Sequence, residues 1–154
     1  MNPEKREEIV GRILDAVEEL LPEYLRKEVE WKVNNGHSAV CVIDDAGRVW
    51  GRMFGDDKAR LRSSFKTAQS KAGQVWLTGM ATGDYEESVY TRKVEWRRYG
   101  IPKPELIGWQ GGIPVALGDG DVLAVGFSGF REETDRELVT KAAERVLGRK
   151  IQWD

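Results

Sequence analysis

Between Gly111 and Gly129 the chain reads GGIPVALGDGDVLAVGFSG. Two apolar runs, Ile113–Leu117 and Val122–Phe127, flank the group Gly118-Asp119-Gly120-Asp121. An Asp-Gly pair between apolar runs calls for a tight antiparallel hairpin, because the turn needs positive φ and glycine adopts it without steric penalty. The hairpin opens on Gly111-Gly112 and closes on Ser128-Gly129. At both ends the backbone can approach a ligand or another chain closely, since no Cβ intervenes.

The flanking sequence supplies helices. Ile9, Val10, Ile13, Leu14, Val17, Leu20 and Leu21 recur at three- and four-residue spacing, with Glu7, Arg12, Asp15, Glu18 and Glu19 largely on the other side. That period predicts an amphipathic helix from about residue 4 to 20, led by Pro3 and resuming at Pro22 as far as Arg26 or Lys27. Asn34-Asn35-Gly36 marks a turn. Ser38–Ile43 reads as a buried strand, Asp44–Gly47 as a turn, and Arg48–Phe54 as the returning strand, with Val40, Val42 and Val49 on one face. From Asp57 to about Thr78, Leu61, Phe65, Ala68, Ala72, Val75 and Trp76 again follow helical spacing. Small residues crowd this helix, so it can lie close to a sheet or leave space for a ligand.

Tyr85–Tyr99 reads as helical up to a stop at Gly100, and Leu106–Trp109 as a further strand. The last helix starts at Thr134 or Asp135, buries Leu138, Val139, Ala142, Ala143, Val146 and Leu147, and stops at Gly148. The tail Ile151-Gln152-Trp153 is free to dock on the sheet or on a neighbour. This order predicts one α+β domain over residues 1–154, built on an antiparallel sheet.

Charge and composition then act as filters. A formal net charge of -2 lacks the basic excess of a dedicated nucleic-acid binder. No apolar run approaches the roughly 18 residues of a membrane span. The start, Met1–Arg6, leads into an amphipathic pattern and not an apolar signal core, so a cytoplasmic location with no membrane partner is expected. The single cysteine, Cys41, excludes an internal disulfide and reads as a small buried hydrophobe; the single histidine, His37, excludes a His-rich metal site. G-x-S-x-G, G-x-x-x-x-G-K-[ST] and C-x-x-C are absent, and the carboxylate pairs Asp44-Asp45, Asp56-Asp57 and Glu132-Glu133 read as solvated loop charges. The residues by themselves name no reaction.

Two patterns point to a binding surface. Lys66 and Lys71 sit on the small-residue helix, where an ammonium can meet an anion at a pocket rim. Tyr85, Tyr90, Trp96 and Tyr99 interleave with Arg92, Lys93, Arg97 and Arg98, which suits a planar acidic ligand or a subunit interface better than a nucleic acid.

Several short motifs resemble, in order and spacing, the GlcG/HbpS family of small haem-binding or haem-degrading-type domains, also found as the C-terminal domain of PduO-type corrinoid adenosyltransferases. They are Val42-Ile43-Asp44-Asp45-Ala46-Gly47-Arg48, Ala68-Gln69-Ser70-Lys71-Ala72 (A-x-x-K-A), Gly111-Gly112-Ile113-Pro114 (G-G-x-P), Gly126-Phe127-Ser128-Gly129 (G-x-S-G) and Glu133-Thr134-Asp135-Arg136-Glu137. The likeness covers about residues 39 to 147. It implies a profilin-like α+β fold, with about five antiparallel strands, helices packed on them, and frequent homo-oligomers. The segment Tyr85–Trp109 is longer and more aromatic than the family usually carries.

One reading is a binding module with a pocket beside Ala68–Ala72 and Gly111-Gly112, which takes haem, a ligand the resemblance implies, or another planar acidic small molecule. Lys71 with Arg92 or Arg97 would meet its carboxylates, Trp96 or Trp109 would pack on its face, and Gly111, Gly112 and Pro114 would line it. An iron ligand would come from His37, Cys41, Met53, Met80 or a tyrosine, or from none of them. An alternative is an enzyme of the same pocket acting on a small aromatic or organic acid. There Lys71, Tyr90 or Asp135 would serve as acid/base groups and the Gly111 and Gly112 amides would stabilise negative charge. A third is an oligomer that holds no ligand.

Overall fold

The computed structural model describes residues 1–152. The central hairpin forms as its turn requires. Strand β3 (Gly112–Gly118) and strand β4 (Asp121–Ser128) are antiparallel, and Asp119 and Gly120 both take positive φ, 54° and 84°. A second hairpin pairs β1 (Ser38–Ile43) with β2 (Val49–Phe54). β1 also pairs antiparallel with β4, giving one four-stranded sheet in the order β2-β1-β4-β3.

Helices cover both faces. On one lie α1 (Pro3–Leu25) and α5 (Glu132–Leu147), which bury Ile13, Val17, Leu138 and Val139 against Val40, Val42, Val125 and Phe127. On the other lies α3 (Lys58–Thr78), whose Ala68, Ala72 and Val75 pack on Ala39, Cys41, Ile43 and Ala124. This second interface is made of small residues, so helix and sheet backbones come close. A Cβ on Gly126 would overlap the Ala68 carbonyl oxygen and lie 2.6 Å from the Ala72 nitrogen. Two short helices complete the chain, α2 (Glu28–Asn34) and α4 (Asp84–Tyr90).

Several expectations need correction. α1 runs unbroken through Pro22, which falls in its last turns, and α2 is an element the periodicity did not signal. Only Asp84–Tyr90 of the aromatic segment is helical; Arg92 takes φ 61°, and turns follow to Gly100. Leu106–Trp109 is not a strand but an irregular loop. Val49 pairs with Ile43, so strand alternation puts it on the α3 face, away from Val40 and Val42. Asp44 is fully buried, not solvated: it binds the Arg6 guanidinium at 3.0 Å and the Arg48 amide at 2.8 Å. The tail is described to Gln152; Trp153 lies outside the described residues. No helix among the described residues is long and apolar enough to cross a membrane.

Candidate ligand-binding site

The A-x-x-K-A helix and the start of α5 bring a lysine and an aspartate together inside the protein. Lys71, on the sheet-facing stripe of α3, is 1% exposed, and Asp135, in the first turn of α5, is 2% exposed. The Lys71 Nζ donates to Asp135 Oδ2 at 3.1 Å and to the Phe127 carbonyl at the end of β4 at 2.9 Å. The other carboxylate oxygen, Oδ1, accepts the Phe130 amide at 2.8 Å. An ammonium has three N–H donors, so one remains after these two bonds. Burial pushes the Asp135 carboxyl up to about 7, while the Lys71 charge and the Phe130 and Gly129 amides pull it down.

Gly111 sits on this pair at φ 120°. A Cβ there would lie 2.7 Å from the Phe127 oxygen and 2.9 Å from both Lys71 Nζ and Asp135 Cβ. The first glycine of G-G-x-P is therefore required by the ion pair beneath it. The second, Gly112, packs on α3 and Thr82, and its amide donates to Thr82 Oγ1 at 2.9 Å. That amide is spent, so it is not a free donor for negative charge.

Lys71 and Asp135 open on a cavity of about 480 Å³ walled by Val33, Trp109, Phe130 and Arg131. A wider open cleft of about 1110 Å³ runs between α3 and the loop before β3, past Lys66, Ser70, Gln74 and Glu86, and shares Trp109 and Glu132 with the cavity. The loop carrying Trp109 is held by one side chain. Gln74 Oε1 accepts the Ile107 amide at 2.9 Å, and Gln74 Nε2 donates to the Ile107 carbonyl at 2.9 Å. A side-chain amide thus does what a neighbouring strand would do. Gln74→Ala leaves Ile107 without both partners. We expect the 101–109 segment to exchange its amides faster by about one order of magnitude, for a loss of about 1–2 kcal/mol locally, with little change in global stability. Unchanged exchange at Ile107 would disprove the clamp.

A second clamp fixes the other wall. Glu30 of α2 is buried and accepts from Thr134 Oγ1 at 2.7 Å and from Arg131, with Nε at 2.7 Å and a terminal nitrogen at 2.6 Å. Burial alone would raise the Glu30 carboxyl, but the Thr134 hydroxyl and Arg131 outweigh it and hold the carboxyl below its ordinary range. This stitches α2 to the start of α5.

Of the residues singled out in the sequence, Lys71, Asp135, Trp109 and Gly111 come together. Gly112 adjoins them beneath Thr82, while Pro114 lines a separate cavity of about 300 Å³ beside Trp76 and Val122. Tyr90 is exposed at the end of α4, and Arg92, Trp96 and Arg97 line neither the cavity nor the cleft. Arg97 and Lys103 lie over the Trp96 ring, at 4.8 and 5.4 Å from its centroid. Gln74, Glu30 and Arg131 escaped the sequence reading. The available signal was a polar residue at 71, 74 and 78 on the buried stripe of α3, where an apolar one is the rule.

The donor set does not fit an iron ligand. His37 is buried in the turn before β1, where Nε2 accepts the Asp57 amide at 3.0 Å and Nδ1 donates to the Asn35 carbonyl at 2.7 Å. Cys41 is buried under α3, where burial pushes its thiol up to about 11 and disfavours a thiolate. Neither the cavity nor the cleft is lined by a histidine, cysteine, methionine or tyrosine. No metal-binding group of three such acidic, histidine or cysteine side chains occurs among the described residues.

A family sequence model described as haem degrading protein HbpS-like matches residues 17–144. Among solved structures, the chain resembles the Klebsiella pneumoniae protein ORFY, of the DUF336 family, with TM-score 0.66 and 21% identity over 91% of this chain and 88% of the other. It also resembles a double mutant of Streptomyces reticuli HbpS, with TM-score 0.64 and 18% identity over 92% and 86% of the two chains. A PduOC–haem complex matches with TM-score 0.60 and 14% identity over 95% and 94%. At these identities the likeness shows the shared fold. No curated protein matches by sequence.

Proposed function

This chain belongs to the HbpS-like family, and we propose that it is a small-ligand-binding protein whose pocket is the cavity at Lys71, Asp135 and Trp109. The observation that carries this reading is the buried Lys71 ammonium on the cavity wall, with one of its three N–H donors left after Asp135 and Phe127. A carboxylate entering the cavity would find a fixed cation there, and Trp109, Phe130 and Val33 would cover a flat apolar body. The volume is in the range of small-molecule sites. A related fold has been solved as a haem complex, which makes porphyrins the first ligands to examine.

The residues present favour recognition of the ring and its carboxylates, not of the iron. Haemin and iron-free protoporphyrin should therefore bind with affinities within about three-fold of each other, a difference under about 1 kcal/mol. Parallel absorbance and tryptophan-quenching titrations test this, and Lys71→Met should weaken both alike. Haemin bound more than about tenfold tighter than the free porphyrin would mean that the protein ligates iron. If neither binds, porphyrins are removed and small aromatic acids become the ligands to screen.

One observation favours an enzyme of the same pocket. Asp135 is held up to about 7, where a carboxyl can give and take a proton near neutrality. Against that, both its oxygens are committed to Lys71 and Phe130. Turnover of an aromatic acid that disappears in Asp135→Asn, with ligand affinity kept, would establish the enzyme.

A further inference from the structure

The two edges of the sheet are treated differently. The β3 edge is closed. Pro114 offers no amide, Gly112 exchanges bonds with Thr82 (Thr82 amide to the Gly112 carbonyl, 3.0 Å; Gly112 amide to Thr82 Oγ1, 2.9 Å), and Arg149 donates to the Ala116 carbonyl. These are devices that keep an edge from pairing. β2 has none of them. Among the described residues no hydrogen bond reaches the outer side of Val49–Phe54, and Val49 and Met53 are 57% and 52% exposed.

The register shows which backbone groups point outward. The Asp44 amide donates to the Arg48 carbonyl at 3.0 Å, and the pairs run from Ile43↔Val49 to Ser38↔Phe54. Antiparallel alternation then turns the backbone groups of Trp50, Arg52 and Phe54 toward β1, and those of Val49, Gly51 and Met53 outward. The side chains of Val49 and Met53 share the α3 face, where Phe65 packs against Gly51; a Cβ at Gly51 would be 2.9 Å from the Phe65 ring.

We propose that β2 pairs antiparallel with β2 of a second copy of this chain, about a two-fold axis at Gly51, joining two sheets into one. In that register Gly51 faces Gly51 and Val49 faces Met53, so outward backbone groups meet outward backbone groups and each pair exchanges both bonds. The apolar side chains left exposed cover each other. On the α1 face Trp50 falls opposite Arg52, whose guanidinium binds Asp15 of its own chain at 2.9 Å, and Phe54 falls opposite Arg48, so an aromatic side chain faces each arginine. A slip of two residues either way sets Arg48 against Arg52 or Arg52 against itself, and like charges directly opposite destabilise. The strand is self-complementary in one register, as an isologous contact requires. This surface is distinct from the ligand cavity and stands without it.

Sedimentation of the whole chain tests the contact. The unmodified protein should be a dimer or an even multiple of one. The variant V49K/M53K places ammonium against ammonium at both ends of the strand and should reduce the assembly's mass about two-fold, with its far-UV CD unchanged. V49K/M53E places opposite charges in those same positions and should restore the mass. A monomeric unmodified protein, an unchanged mass in V49K/M53K, or no recovery in V49K/M53E would each overturn the proposal. Should V49K/M53K not fold, V49C/M53C should cross-link two chains on mild oxidation, and failure to do so under folded conditions would equally overturn it.

Discussion

Asp135→Leu should destabilise the protein by about 3–5 kcal/mol, because it leaves the Lys71 ammonium buried with a single acceptor, the Phe127 carbonyl. It also orphans the Phe130 amide. The double variant Lys71→Met/Asp135→Leu removes charge from both sides and should recover much of the loss, since an apolar pair of similar volume often replaces a buried ion pair at little cost. Urea unfolding of the four proteins closes the cycle. Equal losses in the single and double variants would mean that the pair is not coupled.

The same group sets a pH dependence. The native carboxyl, at about 7, lies above its ordinary 3.8, so the folded state keeps a proton that the unfolded chain has lost. The stabilising contribution is full below about pH 4 and is lost as pH rises to about 7. Unfolding midpoints should fall across that window in the unmodified protein, and this part of the slope should vanish in Asp135→Leu. Glu30 works in the opposite sense: its lowered carboxyl contributes above its ordinary value of 4.5 and loses that contribution as pH falls. The two are separable because their windows run in opposite directions.

The other large effect is expected at Gly126. A side chain there meets the α3 backbone at Ala68 and Ala72, not a flexible side chain that can swing away. Gly126→Ala should cost at least about 3 kcal/mol, the upper end of overpacking penalties, and Gly126→Val should abolish folding. Thermal unfolding of Gly126→Ala measures this. A change under about 1 kcal/mol would show that α3 can lift from the sheet, which would also release Lys71 from its place beneath Gly111.

The helices α1, α3 and α5 and both hairpins were legible because each carries a local signal: a 3.6-residue apolar period, or turn residues between short apolar runs. The residues that meet at the buried Lys71–Asp135 pair were legible too. Lys71, Gly111, Gly112 and Asp135 stand in short motifs, and the chain folds them onto one another. The strand expected at Leu106–Trp109 shows where local signal fails. Its apolar residues face a cleft and its backbone is satisfied by the Gln74 side chain, a partner more than thirty residues distant in the chain. Glu30 with Arg131, and Asp44 with Arg6, were misjudged or missed for the same reason.

The sequence by itself determined α1, α3, α5, the two hairpins with their tight turns and the small-residue faces that let α3 lie against β4, because those depend on neighbours a few residues apart. Only the tertiary structure decided which charges are buried, which sheet edge stays open, and that Tyr90, Arg92 and Arg97 stand away from Lys71. Burial of a polar group is settled by the partners that reach it from distant parts of the chain, and no short stretch of sequence records them.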